Sequence, residues 1–161
     1  SPPESNEVAP RFFYNPHQER YDNMFRSMMR AVFENYEYQP GKKDDWLQRF
    51  RKCGYYLIDA TDEPINRLTE MERVPHLKRG LSAKLAEINR LVEKGTPIIL
   101  IKKSIFDLFN EPLRGAGHNV VHDQFLPFPS FGNQTRFIEE CRQTVEQLGQ
   151  NIRKTDVSSN R

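Results

Sequence analysis

The sequence predicts an α/β protein of three layers (α/β/α), in which helices cover both faces of a mainly parallel sheet of about four strands. Segments with helical spacing of apolar residues alternate along the chain with short apolar runs. The run 97–101 is continuously aliphatic, as is typical of a parallel strand covered on both faces. The chain of 161 residues is long enough for one domain with a core. We assign that domain to residues 1–154 and a flexible tail to 155–161.

Apolar residues that recur every three or four positions identify the helices. On this basis we predict helices over residues 19–36, 44–53, 82–94, 104–113 and 134–153. Short apolar runs bounded by Gly, Pro or Asn identify the strands. We predict strands over 54–60, 97–101 and 119–121, and we expect a fourth before Ser1, where the chain reads as the middle of something longer.

Turn-forming residues support these boundaries. Pro40-Gly41 ends the first helix, and Asp44 or Asp45 can cap the second. Gly95 stops the third helix. Residues 63–78 show no clear pattern, and we predict no element there.

The stretch 126–134 reads Leu-Pro-Phe-Pro-Ser-Phe-Gly-Asn-Gln and has the composition of a rigid, apolar turn. Neither a helix nor a central strand accommodates its two prolines. It leads into the last helix, whose free N–H groups and dipole favour an anion. The alternative is a connector whose phenylalanines only pack, and the stretch alone leaves both interpretations open.

Asp59 is a candidate because it ends a predicted buried strand, where open α/β sheets bind ligands. The alternative is an Asp that caps the following turn, 61–64. Three consecutive aromatic residues at 12–14 either fill a core or line a pocket, and filling a core is the more common outcome.

In this order, the segments resemble the uracil-DNA glycosylase superfamily over nearly the whole chain. Ser1-Pro2-Pro3-Glu4-Ser5 is similar to the family's first, proline-containing loop, and Phe13 to the aromatic residue that stacks on a flipped base. Residues 54–60 resemble the strand whose last residue reads the base edge, with Asp59 in that position. Residues 128–134 resemble the closing turn, the loop that wedges into the duplex and the helix that follows.

The resemblance implies a DNA-repair hydrolase that binds DNA, flips a base into a pocket and hydrolyses its N-glycosidic bond with water. It implies that the group that positions water falls at or before Ser1, which makes Ser1 a catalytic candidate. Glu4, the only carboxylate of the loop 1–5, is a second candidate, as a substitute for the acid that is missing there. It implies Phe13, Asp59 and Phe128 as base-binding candidates. The DNA-binding candidates that it implies are Ser5, Ser104, Ser130, Phe131, Gly132, Asn133 and Gln134.

The sequence departs from the family pattern at two of these positions. Phe128 stands where the family has a histidine that stabilises negative charge on the base. Asp59 stands where the family has an amide, and an ionised carboxylate only accepts hydrogen bonds. It suits the N3–H of uracil or the donors of guanine or an aminated base, so the substrate need not be uracil. Two alternatives stay open: an inactive module that binds nucleic acid or a nucleobase, and a fold relative with an unrelated ligand.

The remaining composition argues against several other kinds of site. Cys53 and Cys141 form no C-x-x-C pair, and His118 and His122 have no third ligand nearby, so we expect no metal and no cofactor. We expect His122 to be a hydrogen-bonded surface histidine rather than an acid or base. No run approaches a membrane span, and a net charge of +2 permits DNA binding without favouring it. We expect a cytoplasmic monomer that binds DNA or a free nucleobase.

Overall fold

A computed structural model describes residues 12–16, 22–63, 65, 68–130 and 132–159. Most of this part of the chain is helical. Its α-helices are α1 (Asn23–Val32), α2 (Lys43–Lys52), α3 (Glu70–Leu91), α4 (Lys103–Gly115) and α5 (Gln134–Ser159). Its strands are β1 (Pro97–Ile98) and β2 (Asn119–Val120), and a short 3-10 helix spans Phe12–Tyr14.

The predicted four-stranded, three-layer α/β/α fold is wrong. The described residues are mainly helical, and their sheet consists of two short parallel strands. Residues 54–60, predicted as a strand, form neither helix nor strand. One reason is visible at Leu57, whose backbone N–H donates to the Tyr14 hydroxyl at 2.7 Å instead of to a neighbouring strand.

The first half of α3 lies where the sequence showed no pattern. Thr69 and Glu72 form a reciprocal capping box, in which each side chain accepts a hydrogen bond from the other residue's backbone N–H. This cap starts the helix well before Ser82, the predicted start. Pro75 lies inside the helix and removes one hydrogen-bond donor, which masks the helical pattern in the sequence.

Two hydrophobic clusters hold the helices together, and residues 98–101 lie between them. Ile99 and Ile101 pack against the first cluster, whereas Ile98 and Leu100 belong to the second or pack against it. The run is therefore covered on both faces, as its aliphatic composition predicted. The first cluster joins α1, α2 and α5 through Phe25, Met29, Leu47, Phe50, Phe137 and Cys141. The second joins α3, α4 and β2 through Ile88, Phe109, Leu113 and Val120.

A buried ion pair ties the start of α1 to the start of α2. The Oδ1 atom of Asp22 accepts a hydrogen bond from the Phe25 N–H at 2.9 Å and so caps α1. Its Oδ2 atom accepts one from Lys43 Nζ, also at 2.9 Å. The Lys43 side chain is only 1% exposed and that of Asp22 only 6%. Because one carboxylate serves both helices, it fixes their starting points relative to each other.

Replacing Asp22 with Ala should lower the free energy of unfolding by about 3–5 kcal/mol, because it removes one partner of a buried ion pair. Asp45→Ala is the matched control, since the Asp45 carboxylate lies 3.7 Å from Lys42 in an exposed pair. It should cost less than about 1 kcal/mol. Urea denaturation followed by the fluorescence of Trp46, the one tryptophan, measures both values. Equal losses in the two variants would contradict the role assigned to Asp22.

Candidate functional site

The candidate site lies where the parallel pairing of β1 and β2 continues past the strands. An isolated parallel bridge joins Ile101 to Leu126. The Leu126 N–H donates to the Leu100 carbonyl at 3.2 Å, and the Lys102 N–H donates to the Leu126 carbonyl at 2.7 Å. Two chain segments therefore leave this ladder side by side. One enters α4 at once, and the other forms the loop before α5.

Residues 122–125 separate β2 from Leu126 and do not pair with the neighbouring segment. The side chain of His122 provides the hydrogen-bond acceptor that the Leu100 N–H would otherwise lack. The Leu100 N–H donates to Nε2 of His122 at 2.7 Å. Because a backbone N–H can only donate, the ring proton lies on Nδ1, which donates to the Gln124 carbonyl. Nη2 of Arg114 donates to the His122 carbonyl at 2.8 Å. Both ring nitrogens are thus hydrogen-bonded, which agrees with the structural role expected for this histidine.

Lys102 begins the first of the two segments in an uncommon backbone conformation. Its φ of 82° is positive, which no other non-glycine residue among those described shows. Such a conformation costs on the order of 1–3 kcal/mol and is found preferentially at ligand sites. No side chain caps α4, so N–H groups of its first turn, around Lys103 and Ser104, are free of a side-chain partner. Ser104 is half-buried as the second residue of the helix.

The second segment leads to the N-terminus of α5 and is described at residues 127–130 and 132–133. Phe128 is 42% exposed in it. The Ser130 N–H donates to the Phe128 carbonyl at 2.8 Å, and the Asn133 N–H donates to the Ser130 carbonyl at 3.1 Å. Gly132 takes a φ of 86°, which favours glycine, and its N–H donates to Oε1 of Gln134 at 3.1 Å. We call residues 102–104, 127–130 and 132–134 together the loop edge.

Phe13 does not have the open face that base stacking requires. Its side chain is 5% exposed in the first hydrophobic cluster. Its ring packs edge-on against Tyr14, Phe25 and Phe50, with centroid distances of 4.9, 6.0 and 5.5 Å. A base could stack on Phe13 only if this core opened. Phe13 therefore fills the core rather than lining a pocket.

Its neighbour Tyr14 instead belongs to an aromatic group at the surface. The Tyr14 and Tyr56 rings lie 6.0 Å apart, and Tyr56 is 66% exposed. The guanidinium carbon of Arg51 lies 5.2 Å from the centre of the Tyr14 ring. Burial raises the pKa of Tyr14 above its ordinary value. The hydrogen bond from Leu57 and the charge of Arg51 lower this pKa, whereas the charges of Tyr56 and Asp59 raise it further.

The charge of Asp59 is the weakest of these influences on the pKa of Tyr14. The carboxylate of Asp59 is at an exposed position. Sequence reasoning missed Tyr56 and Arg51, since only the folded chain brings them to Tyr14. The predicted residues Ser1, Glu4, Ser5 and Phe131 lie outside the described residues.

Neither of the two best-formed depressions among the described residues contains a predicted site residue. Within the described ranges, no three His, Cys, Asp or Glu side chains are grouped so that they could hold a metal ion. A cavity of about 10 Å³, enough for one water, lies beside Lys43 and Trp46, and an open depression lies beside Asp62 and Glu87. The candidate site is therefore an exposed edge.

The chain has no match among protein-family models, characterised proteins or solved structures. In the part of the chain that the structure describes, no helix has both the length and the apolar character needed to span a membrane.

The second histidine near β2, His118, is buried and lies away from the loop edge. Its Nε2 lies 2.7 Å from Oδ1 of Asn89 and 3.4 Å from Nζ of Lys94. Burial lowers the pKa of His118 below its ordinary value of 6.5, and the charge of Lys94 adds to this effect. The folded protein therefore favours the neutral form of this histidine.

Lowering the pH from 7.5 to 5.5 should reduce the free energy of unfolding, and His118→Gln should reduce this loss. A histidine whose pKa is lowered in the folded state binds more protons when unfolded, so stability falls as the pH falls below its unfolded pKa. The contribution is at most about 1.4 kcal/mol per pH unit. Urea denaturation across this range measures it. An unchanged pH dependence in His118→Gln would contradict the assignment.

Proposed function

We propose that the chain binds DNA at the loop edge. The observation that carries this proposal is the parallel bridge between Ile101 and Leu126, because it sets side by side the two segments that lead into α4 and α5. The first backbone N–H groups of an α-helix have no partner within the helix, and its dipole is positive at the N-terminus, so both features favour an anion. At α4 no side chain caps these groups. DNA offers a phosphate at every nucleotide.

Side chains at the loop edge supply the other contacts that a phosphate backbone requires. Lys102 is 35% exposed and lies 3.7 Å from Glu70, and Lys103 is 69% exposed and bonded to Asp107 at 2.6 Å. Exposed ion pairs of this kind contribute little, so each lysine can exchange its carboxylate for a phosphate. The Ser130 hydroxyl is the kind of group that commonly donates to phosphate oxygens.

Exposed aromatic rings are suited to bind the bases. Phe128 projects from the loop edge, and Tyr56 lies over Tyr14 beside Arg51. Stacking on such a ring contributes about 1–3 kcal/mol per base and depends little on sequence. Asp59, which is exposed, can accept hydrogen bonds from the N1–H and N2–H donors of guanine or the N3–H of uracil. A free nucleobase offers the same donors.

Lys102→Gln and Phe128→Ala should each weaken DNA binding, measured by fluorescence anisotropy with a labelled single-stranded oligonucleotide. Loss of one phosphate contact should also reduce the slope of log affinity against log salt by about 1 for Lys102→Gln. Loss of stacking should weaken binding roughly five- to 150-fold for Phe128→Ala.

Two matched controls lie elsewhere on the surface. Lys42→Gln removes an exposed lysine that also pairs with an acid, and Leu91→Ala removes an apolar side chain that is 55% exposed. Both controls should bind DNA like the parent chain. If all four variants bind equally, or if the affinity of the parent chain does not depend on salt, the DNA-binding proposal fails.

A catalytic version of this function is a second candidate, and the observation that favours it is the exposed position of Asp59, the residue expected to read the base. In this version Asp59 reads the base and Glu4 activates water for hydrolysis of the N-glycosidic bond. An abasic-site assay on oligonucleotides that carry uracil, hypoxanthine or xanthine tests it. We expect the parent chain to cleave the N-glycosidic bond. Glu4→Gln should abolish this activity, and Asp59→Ala should reduce it while the variant remains folded. No cleavage by the parent chain at high concentration would exclude this candidate.

A further inference from the structure

A cluster of three charged side chains lies beside the loop edge, at the start of α3. Oε1 of Glu70 accepts a hydrogen bond from Nη1 of Arg73 at 2.8 Å, and the same oxygen lies 3.7 Å from Nζ of Lys102. Nε of Arg73 donates to the Leu68 carbonyl at 3.0 Å. One carboxylate oxygen is thus shared by two cations from different parts of the chain.

The cations of this cluster are less exposed than the carboxylate that they share. The side chains of Arg73 and Lys102 are 27% and 35% exposed, whereas that of Glu70 is 71% exposed. The bond to Leu68 further restrains Arg73. Because the carboxylate is on the solvent side, another anion can replace it while both cations keep their positions.

We propose that Arg73 and Lys102 form a subsite for one phosphate of the DNA backbone, and that Glu70 occupies this subsite in the free protein as an internal competitor. The inference rests on the proposed function, since it adds a phosphate contact and a control on affinity to the same edge. An arginine that keeps two terminal nitrogens in one plane can bind a phosphate through two parallel hydrogen bonds. The Glu70 carboxylate lies between the same two cations and is a smaller anion than the phosphate that would replace it.

Glu70→Gln should therefore raise the affinity for a single-stranded oligonucleotide. The gain should be roughly two- to fivefold, which corresponds to the loss of one exposed ion pair that binding must otherwise break. The variant should fold, because the capping box of α3 uses Thr69 and Glu72 rather than Glu70. Glutamine also keeps the size of the side chain.

Glu146→Gln is the control for the change in net charge. It removes one exposed carboxylate from α5, twelve residues beyond Gln134 and so about 18 Å along the helix from its N-terminus. Fluorescence anisotropy at several salt concentrations compares the variants. Arg73→Gln should weaken binding and reduce the salt slope by about 1, as expected for one lost phosphate contact. In the background of Lys102→Gln, Glu70→Gln should give a smaller gain than in the parent chain.

The outcomes separate this inference from the proposed function. If Glu70→Gln gains no more affinity than Glu146→Gln while Lys102→Gln still weakens binding, the competitor role is wrong and the DNA-binding edge stands. If Arg73→Gln binds like the parent chain, Arg73 is not part of the subsite. If neither Lys102→Gln nor Phe128→Ala changes binding, the proposed function itself fails.

Discussion

The hydrogen bond from the Leu100 N–H to the His122 imidazole is the interaction on which the candidate site depends. Residues 122–125 leave the ladder, and without an acceptor the N–H of the buried residue Leu100 would be unpaired. Leaving such a donor unsatisfied costs about 1–3 kcal/mol. The imidazole removes that cost, so residues 122–125 can leave the ladder before Leu126 pairs with Ile101.

The consequences of that bond reach both halves of the loop edge. Because Leu126 returns to pair with Ile101, its carbonyl is in place to accept from the Lys102 N–H. This bond holds Lys102 in its positive-φ conformation immediately before α4. The loop that begins at Pro127 then starts from a fixed point and carries Phe128 to the surface. A single side chain thereby positions the charged and the aromatic parts of the proposed DNA-binding surface.

The sequence predicted the local parts of this structure well and the long-range parts poorly. The helical patterns after Asp44, Ser104 and Asn133 correspond to α2, α4 and α5, since each follows from apolar spacing within one segment. The four-stranded sheet failed because strand pairing depends on partners far away in sequence. At Leu57 the partner is a tyrosine hydroxyl, and at Leu100 it is a histidine ring.

The candidate site shows the same division. The stretch 126–134 and the position of Asp59 stood out by composition and by place in the chain. Phe128 and Asp59 are exposed, whereas Leu126 and Pro129 are buried. Phe13 could not be assigned from sequence, because an aromatic residue reads the same whether it packs inside or lines a pocket. Glu70 and Arg73 gave no signal, since their meeting with Lys102 exists only in the folded chain. The capping box Thr69-x-x-Glu72 was a readable signal for the start of α3 that our prediction missed.

The most direct test is the protonation state of His122 and the protection of the Leu100 amide, both measured by NMR near neutral pH. Imidazole ¹⁵N shifts and couplings should show a neutral ring with its proton on Nδ1, and the Leu100 amide should exchange slowly with solvent. A proton on Nε2, or a Leu100 amide that exchanges as fast as an exposed loop amide, would show that the histidine does not complete the ladder and would contradict the account of the loop edge.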